Sequence, residues 1–69
     1  MDNGERWIVI QKLADDITRY LDHYDKWGLE LRSARRFDSP IRAALYAVRL
    51  DLDPFSIVTV KGDQILGVA

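Results

Sequence analysis

The sequence predicts an α+β fold in which two helices are followed by a C-terminal β-hairpin. Three observations predict it: helical spacing of apolar residues in the first 27 positions, a Ser-Pro helix start at residues 39 and 40, and two β-rich runs around a Gly-Asp turn near the end. With 69 residues and no cysteine, the chain is expected to form one small domain without disulfides, with residues 1–4 disordered.

The first predicted helix covers residues 5–27. Its apolar residues recur at spacings of three and four, which is typical of one helix face. They are Trp7, Ile10, Ala14, Ile17, Leu21 and Tyr24, with a second row of Leu13, Tyr20 and Trp27 beside them. Gly28 is expected to follow the helix in the left-handed conformation. One alternative stays open, because the β-branched run at residues 7–10 also favours a short strand before the helix.

The second predicted helix covers residues 40–51. The Ser39 oxygen can accept a free backbone N–H, and Pro40 fits the first helical position. Asp53-Pro54 is expected to stop the helix, since proline disfavours a helical predecessor. The predicted inner face consists of Ile41, Ala44, Leu45, Val48 and Leu52. Between the helices, the alternation at residues 29–32 indicates a possible short strand.

The hairpin is predicted to join residues 55–60 to residues 64–69 through a Gly62-Asp63 turn. That turn would pair Lys61 with Gln64, Thr59 with Leu66 and Ile57 with Val68. A hairpin that is apolar on both faces needs cover, and a chain this short has little core of its own. We therefore expect a homodimer, with the aromatic residues of the first helix as its interface: Trp7, Tyr20, Tyr24 and Trp27.

Charge is distributed unevenly in a chain whose net charge is −1. Residues 32–49 hold five arginines, Arg32, Arg35, Arg36, Arg42 and Arg49, against Asp38 alone. On the second helix, the spacing i, i+4, i+7 places Arg42, Tyr46 and Arg49 in one stripe. Arginine suits bidentate contacts to carboxylates and phosphates, and with tyrosine it is common in the energetic centres of interfaces.

Three interpretations of these arginines remain open. They could pair with acidic residues of the first helix, dock an acidic protein partner, or bind nucleic acid. The acidic residues concerned are Asp15, Asp16, Asp22 and Asp25, which we expect to form a solvated face rather than a cation site, because hard-metal sites usually take their oxygens from a loop.

Enzyme, metal and cofactor chemistry are not predicted. The sequence has one histidine and no cysteine, and it lacks a glycine-rich phosphate loop and a G-x-S-x-G motif. His23 is expected at the partly solvated edge of the first helix rather than in a site. No apolar run approaches the roughly 20 residues of a membrane span, and the first six residues do not resemble a signal peptide. We expect a cytoplasmic protein, of the producing cell or of a host.

The predicted function is therefore a small regulator, inhibitor or adaptor without catalytic activity. It would bind another protein stoichiometrically through Arg35, Arg36, Arg42, Tyr46 and Arg49. The alternative is nucleic-acid binding through the basic patch from Arg32 to Arg49.

Overall fold

The computed structural model describes residues 4–69, which form a five-stranded antiparallel sheet and one short α-helix. The elements in chain order are β1 (Glu5–Lys12), β2 (Thr18–Leu21), β3 (Trp27–Gly28), α1 (Pro40–Arg49), β4 (Ser56–Lys61) and β5 (Gln64–Val68). A single 3-10 turn at Leu31–Ser33 lies between β3 and α1. The strand order in the sheet is β3-β2-β1-β4-β5. Of the residues expected to be disordered, 1–4, the first three lie outside the described residues, and Gly4 is described, directly before β1.

The predicted two-helix architecture is wrong, because residues 5–27 form three strands instead of a helix. Two turns interrupt this segment, and Asp16 and Asp25 adopt the left-handed backbone conformation there, with φ of 65° and 61°. At each turn the alternation of inward and outward side chains starts again. The apolar residues of successive short strands therefore lie three or four positions apart, which is also the spacing of a helix face. Gly28 lies within β3 and ends no helix. The strand considered at residues 29–32 is replaced by the 3-10 turn.

Strand β1 is the centre of the sheet and separates two cores. It pairs with β2 along one side and with β4 along the other. Neighbouring residues of a strand point to opposite faces, and Ile8 and Val9 are both completely buried. A strand that is buried on both faces reads as a continuous apolar run. This explains the Trp-Ile-Val-Ile sequence that had also favoured a strand.

Each face of the sheet has its own core. The helix-covered core consists of Val9 and Leu21 from the sheet with Ala43 and Ala47 from α1. The loop-covered core lies on the opposite face, under the chain between β3 and α1, and consists of Ile8, Ala34, Val58 and Val60. Two backbone bridges fix that loop to the sheet, between Asp22 and Ala34 and between Trp7 and Phe37.

Strands β4 and β5 form a hairpin at the place expected, but its register differs. Lys61 pairs with Gln64 as predicted, around Gly62 with a φ of 61°. An irregularity between Thr59 and Val60 then shifts the pairing, so that Thr59 lies opposite Gly67 and Val58 opposite Val68. An extra residue in one strand of a pair has this effect. The predicted pairs Thr59 with Leu66 and Ile57 with Val68 are therefore wrong.

The two strands of this hairpin have different surroundings. β4 also pairs with β1 and supplies Val58 and Val60 to the loop-covered core. β5 is an edge strand, and all five of its residues are exposed. None of the helical segments within residues 4–69 has the length and apolar character that a bilayer crossing requires.

Candidate binding groove on α1

Helix α1 begins where the sequence predicts. The Ser39 hydroxyl oxygen accepts the backbone N–H of Arg42 at 3.1 Å, and Pro40 occupies the first helical position. This cap satisfies one of the N–H groups that a helix start leaves free. The helix ends at Arg49, two residues earlier than predicted, and the chain then reverses through Asp51 with a φ of 57°.

The predicted inner face of α1 is wrong for its three large helical residues, although Leu52, which follows the helix, does pack against the helix-covered core. Ala43 and Ala47 are the buried residues of the helix, whereas three large apolar residues point outward. We call these three the outer stripe: Ile41 is 71% exposed, Leu45 is 56% exposed and Val48 is 65% exposed. Alanines at i and i+4 allow the helix to lie close to the sheet. The volume around them is filled by large side chains of other segments: Trp7, Trp27, Phe37, Leu52, Phe55 and Ile57.

Beside the outer stripe, α1 and the chain just before it enclose an open groove of about 270 Å³. Its lining consists of Phe37, Arg42, Leu45, Tyr46 and Arg49. The rings of Phe37 and Tyr46 are tilted by 52° with centroids 5.4 Å apart, a separation within the range that aromatic pairs favour. The groove therefore combines an aromatic and aliphatic lining with two guanidinium groups.

Backbone hydrogen bonds hold Phe37 in place. Its N–H donates to the carbonyl of Trp7 at 2.8 Å, and its carbonyl accepts the N–H of Trp7 at 3.0 Å. Phe37 thus behaves as one residue of an additional short strand against β1. The aromatic wall of the groove is consequently fixed to the central strand of the sheet.

Tyr46 is held from two sides. Its hydroxyl donates a hydrogen bond to the carboxylate of Asp25, from the turn between β2 and β3. The guanidinium carbon of Arg35 lies 4.5 Å from the centre of the Tyr46 ring and 5.8 Å from that of Phe37, within cation–π range. The bond to Asp25, with desolvation, raises the pKa of Tyr46 above its ordinary value, while the charge of Arg35 opposes the shift. The hydroxyl stays protonated at neutral pH and acts as a donor.

The two groove arginines make little use of intramolecular ion pairs among the described residues. The Arg42 guanidinium lies 3.5 Å from a carboxylate oxygen of Asp38, and both side chains are largely exposed. Exposed ion pairs of this kind contribute about 0–1 kcal/mol. Arg49 forms no ion pair within residues 4–69. An external carboxylate could therefore bind both arginines at little cost to the fold.

The acidic residues that the arginines could have paired with are occupied elsewhere. Asp15 accepts from Arg19 at 2.6 Å, and Asp16 lies 3.3 Å from the Lys12 ammonium. Asp22 accepts the backbone N–H groups of Tyr24 and Lys26 at 2.8 and 3.0 Å. Among the described ion pairs, none joins one of these carboxylates or that of Asp25 to an arginine of residues 32–49.

The structure brings together some of the predicted site residues and separates others. Arg35, Arg42, Tyr46 and Arg49 lie at or beside the groove. Arg36 is half-buried in the loop before α1 and does not line the groove. Arg32, at the start of the predicted basic patch, pairs with Glu30 at 3.0 Å.

Sequence reasoning missed Phe37, Leu45 and Asp25 as parts of this site. The sequence pattern predicts Leu45 in the core and Asp25 on a solvated face, and it predicts no role for Phe37. The Ala43 and Ala47 pair is the signal that could have oriented the helix correctly. Two small residues one turn apart permit close packing on a sheet, and the large residues then face outward.

The aromatic residues predicted as one dimer interface do not share a surface. Trp7 and Trp27 pack beside the helix-covered core, whereas Tyr20 packs against the loop-covered core. Tyr24 lies in a turn and is 82% exposed. The helix that would have aligned them is absent, so its proposed face no longer supports the dimer, which stays an untested prediction.

His23 lies exposed in the turn between β2 and β3. Within residues 4–69, no group of three or more histidine, aspartate or glutamate side chains is arranged to hold a metal ion. In comparisons with known proteins, no family model, curated protein or solved structure matches the chain.

Proposed function

We propose that this protein is a small non-catalytic regulator, inhibitor or adaptor that binds an acidic segment of another protein at the α1 groove. The observation that carries the proposal is the pairing of two available guanidinium groups with an aromatic and aliphatic lining. Arg42 is held only by a long, exposed contact, and Arg49 has no ion pair among residues 4–69. Tyrosine and arginine are enriched among the residues that dominate protein interfaces.

The size and shape of the groove favour a protein side chain over a small-molecule ligand. Sites for small molecules are usually clefts or cavities of about 300–1,000 Å³ that bury most of the ligand's surface. The groove here, of about 270 Å³, is open and would leave much of such a ligand in solvent. Its wall also continues into the exposed outer stripe, so a larger partner can contact apolar surface outside the groove.

The charge pattern favours a carboxylate over a nucleic-acid backbone. Phosphate-binding surfaces depend on several cations that face the polymer together. Here Arg32 pairs with Glu30, Arg35 stacks on Tyr46, and the net charge of the chain is −1. Two arginines in one groove are suited to one or two carboxylates.

We also propose that the protein acts in the cytoplasm, of the producing cell or of a host. The described fold relies on no disulfide, and the chain contains no cysteine. A reducing compartment therefore removes nothing that holds the fold together.

A capture experiment with matched variants tests the proposed function. Immobilised wild-type protein is incubated with lysate of its source cell, beside a variant with Arg42→Ala and Arg49→Ala and a control with Arg32→Ala. We expect the wild type and the control to retain a partner that the double variant loses. All three should keep the same circular dichroism spectrum, because these side chains are exposed.

Two outcomes would contradict the proposal. Equal retention of the same proteins by all three would place binding outside the groove. Titration with labelled duplex DNA and RNA at several salt concentrations covers the alternative, because phosphate binding weakens steeply and log-linearly with salt. Tight binding of this kind that depends on Arg42 and Arg49 would assign the groove to nucleic acid.

A further inference from the structure

The outer stripe and the groove form one continuous surface, because Leu45 belongs to both. Ile41, Leu45 and Val48 follow each other at spacings of four and three, so they lie in a line along the ten-residue helix. That helix is about 15 Å long. The whole line is exposed, although burying large aliphatic side chains is favourable.

The two borders of the outer stripe differ in charge. Arg42 and Arg49 lie seven residues apart, which is two helical turns, and both fall on the border next to Tyr46. The opposite border contains the half-buried Ala44 and carries no charge along α1. A partner that covers the stripe thus meets positive charge from α1 on one border and none from α1 on the other, which favours one orientation.

From this arrangement we propose that the bound segment is a short amphipathic α-helix of a partner protein, with acidic residues along one border. The inference rests on the proposed function and specifies its partner. Apolar side chains of the partner helix would cover Ile41, Leu45 and Val48, as in other complexes in which a helix lies in an apolar groove. Two carboxylates on its border would pair with Arg42 and Arg49.

The spacing of the arginines favours a helix over an extended segment. Seven residues of helix advance about 10.5 Å, so carboxylates two turns apart on a partner helix match the positions of Arg42 and Arg49. An extended chain covers that distance in about three residues, and side chains three positions apart point to opposite faces. Residues on the same face of an extended segment are about 6.6 or 13 Å apart, so their carboxylates match the two arginines less closely than those of a helix.

Charge argues against a second copy of this chain, packed antiparallel, as the occupant. Pairing two α1 helices antiparallel about a two-fold axis places the same border of each helix against the other. The Arg42 and Arg49 border of one copy would then face that of its twin. Like charges opposed at an interface are unfavourable, whereas an acidic border would be complementary.

Designed peptides test the occupant directly. The first is a helix-forming peptide with leucines at i, i+4 and i+7 and two glutamates seven residues apart on one border. The second replaces both glutamates by glutamine, and the third rearranges the same residues into an alternating, strand-forming pattern. We expect the first peptide to bind roughly tenfold or more tightly than either of the others, measured by fluorescence anisotropy at 50 mM salt.

A charge exchange identifies the border. Protein with Arg42→Glu and Arg49→Glu should lose the glutamate peptide and bind a peptide with lysines in their place. A second variant, with Ile41→Ser and Val48→Ser, should weaken all helical peptides and leave the circular dichroism spectrum unchanged, because both side chains are exposed. Chemical shift changes in NMR spectra should map to the outer stripe and the groove.

The outcomes separate this inference from the function on which it rests. Equal binding of the helical and strand-forming peptides, or binding of no helical peptide at millimolar concentration, overturns the helical occupant. If the lysate capture still depends on Arg42 and Arg49 in that case, the proposed function stands with a partner of another shape. If light scattering shows a dimer that Ile41→Ser and Val48→Ser dissolve, the occupant is a second copy and the inference is wrong.

Discussion

The two faces of the sheet are covered in different ways, yet both covers follow one rule. A regular helix lies over Val9 and Leu21, while an irregular loop lies over Ile8, Val58 and Val60. In both cases the cover contributes only alanine to the fully buried set: Ala43 and Ala47 from α1, and Ala34 from the loop. The large side chains that fill each core come from the sheet, and the alanines above them allow the helix or the loop to lie close to it.

The difference lies in what each cover leaves outside. The loop directs Leu31 toward its core. The helix presents its small residues inward, so Ile41, Leu45 and Val48 remain in solvent. A helical cover with inward alanines therefore leaves a line of three exposed apolar residues on this protein, whereas the loop cover leaves Leu29 exposed.

The largest expected effect comes from emptying either core. Ile8→Ala and Leu21→Ala each remove a completely buried side chain, one from each face. Each should lower the free energy of unfolding by about 2–5 kcal/mol, as measured by urea denaturation. Ile41→Ala is the exposed control and should change it little. A shift below about 1 kcal/mol for either core variant would show that its face is not packed as described.

Enlarging the helix-covered core should have the next largest effect. Ala47→Leu places a large side chain where α1 meets the sheet, and overpacking of this kind costs about 1–3 kcal/mol. Leu45→Ala, on the exposed side of the same helix, should change stability by only about 0.5 kcal/mol. Thermal melts of the two variants show which face of α1 packs against the sheet. If Leu45→Ala were the more damaging, the orientation predicted from sequence would be restored.

Loss of the helix cap should lower the free energy of unfolding by less, and its effect should be confined to α1. Ser39→Ala removes the acceptor of the Arg42 N–H and should cost about 1 kcal/mol. Ser39→Asp retains an acceptor and should preserve most of the stability. In hydrogen exchange, the first turn of α1 should lose protection while the amide of Ala34 keeps it. Equal loss at both places would show that the two covers are not independent.

The smallest expected effect is a loss of stability at acid pH through Asp22, which lies where β2 meets the loop that covers the second face. Hydrogen bonds from the backbone N–H groups of Lys26 and Tyr24 lower the pKa of Asp22 below its usual 3.8, against desolvation, which would raise it. A carboxyl whose folded pKa is depressed stabilises the fold above its unfolded pKa, and that contribution is lost as pH falls through the folded value. Stability should thus decline as the pH falls below about 4.

Asp22→Asn is the matched variant for this pH dependence. It keeps an oxygen acceptor but cannot titrate, so its acid-induced loss of stability should be shallower than that of the wild type. Denaturant titrations between pH 6 and pH 2 measure the difference. Parallel curves for the two proteins would mean that other carboxyls, such as Asp15 beside Arg19, dominate the acid response.

Local signals in the sequence predicted local structure well. The Ser39-Pro40 start of α1 and the Lys61 to Gln64 turn depend on a few adjacent residues, and both occur in the fold. Residues 5–27 were misassigned because their apolar spacing is a property of three strands and the turns between them. Deciding between these readings requires knowing that β1 pairs with β4, which is distant in sequence.

The candidate groove was predictable in part for the same reason. The stripe of Arg42, Tyr46 and Arg49 follows from helical spacing alone, and the groove contains all three. Which side of α1 faces the sheet depends on how close the helix lies, and both the alanine side and the Ile41 side are apolar. Phe37 joins the groove through its bridge to Trp7, a contact that no local pattern reveals.

The position of β1 also determines when the protein can fold. β1 precedes β4 by the whole segment of residues 13–55, and its Glu5 pairs with Lys61. Translation proceeds at about 5–20 residues per second, so a newly made β1 waits for several seconds before β4 has been synthesised. Non-local pairings of this kind slow folding. Until then the Trp-Ile-Val-Ile segment has no β4 to pair with, so burial of its apolar side chains has to wait for strands that follow it in the chain.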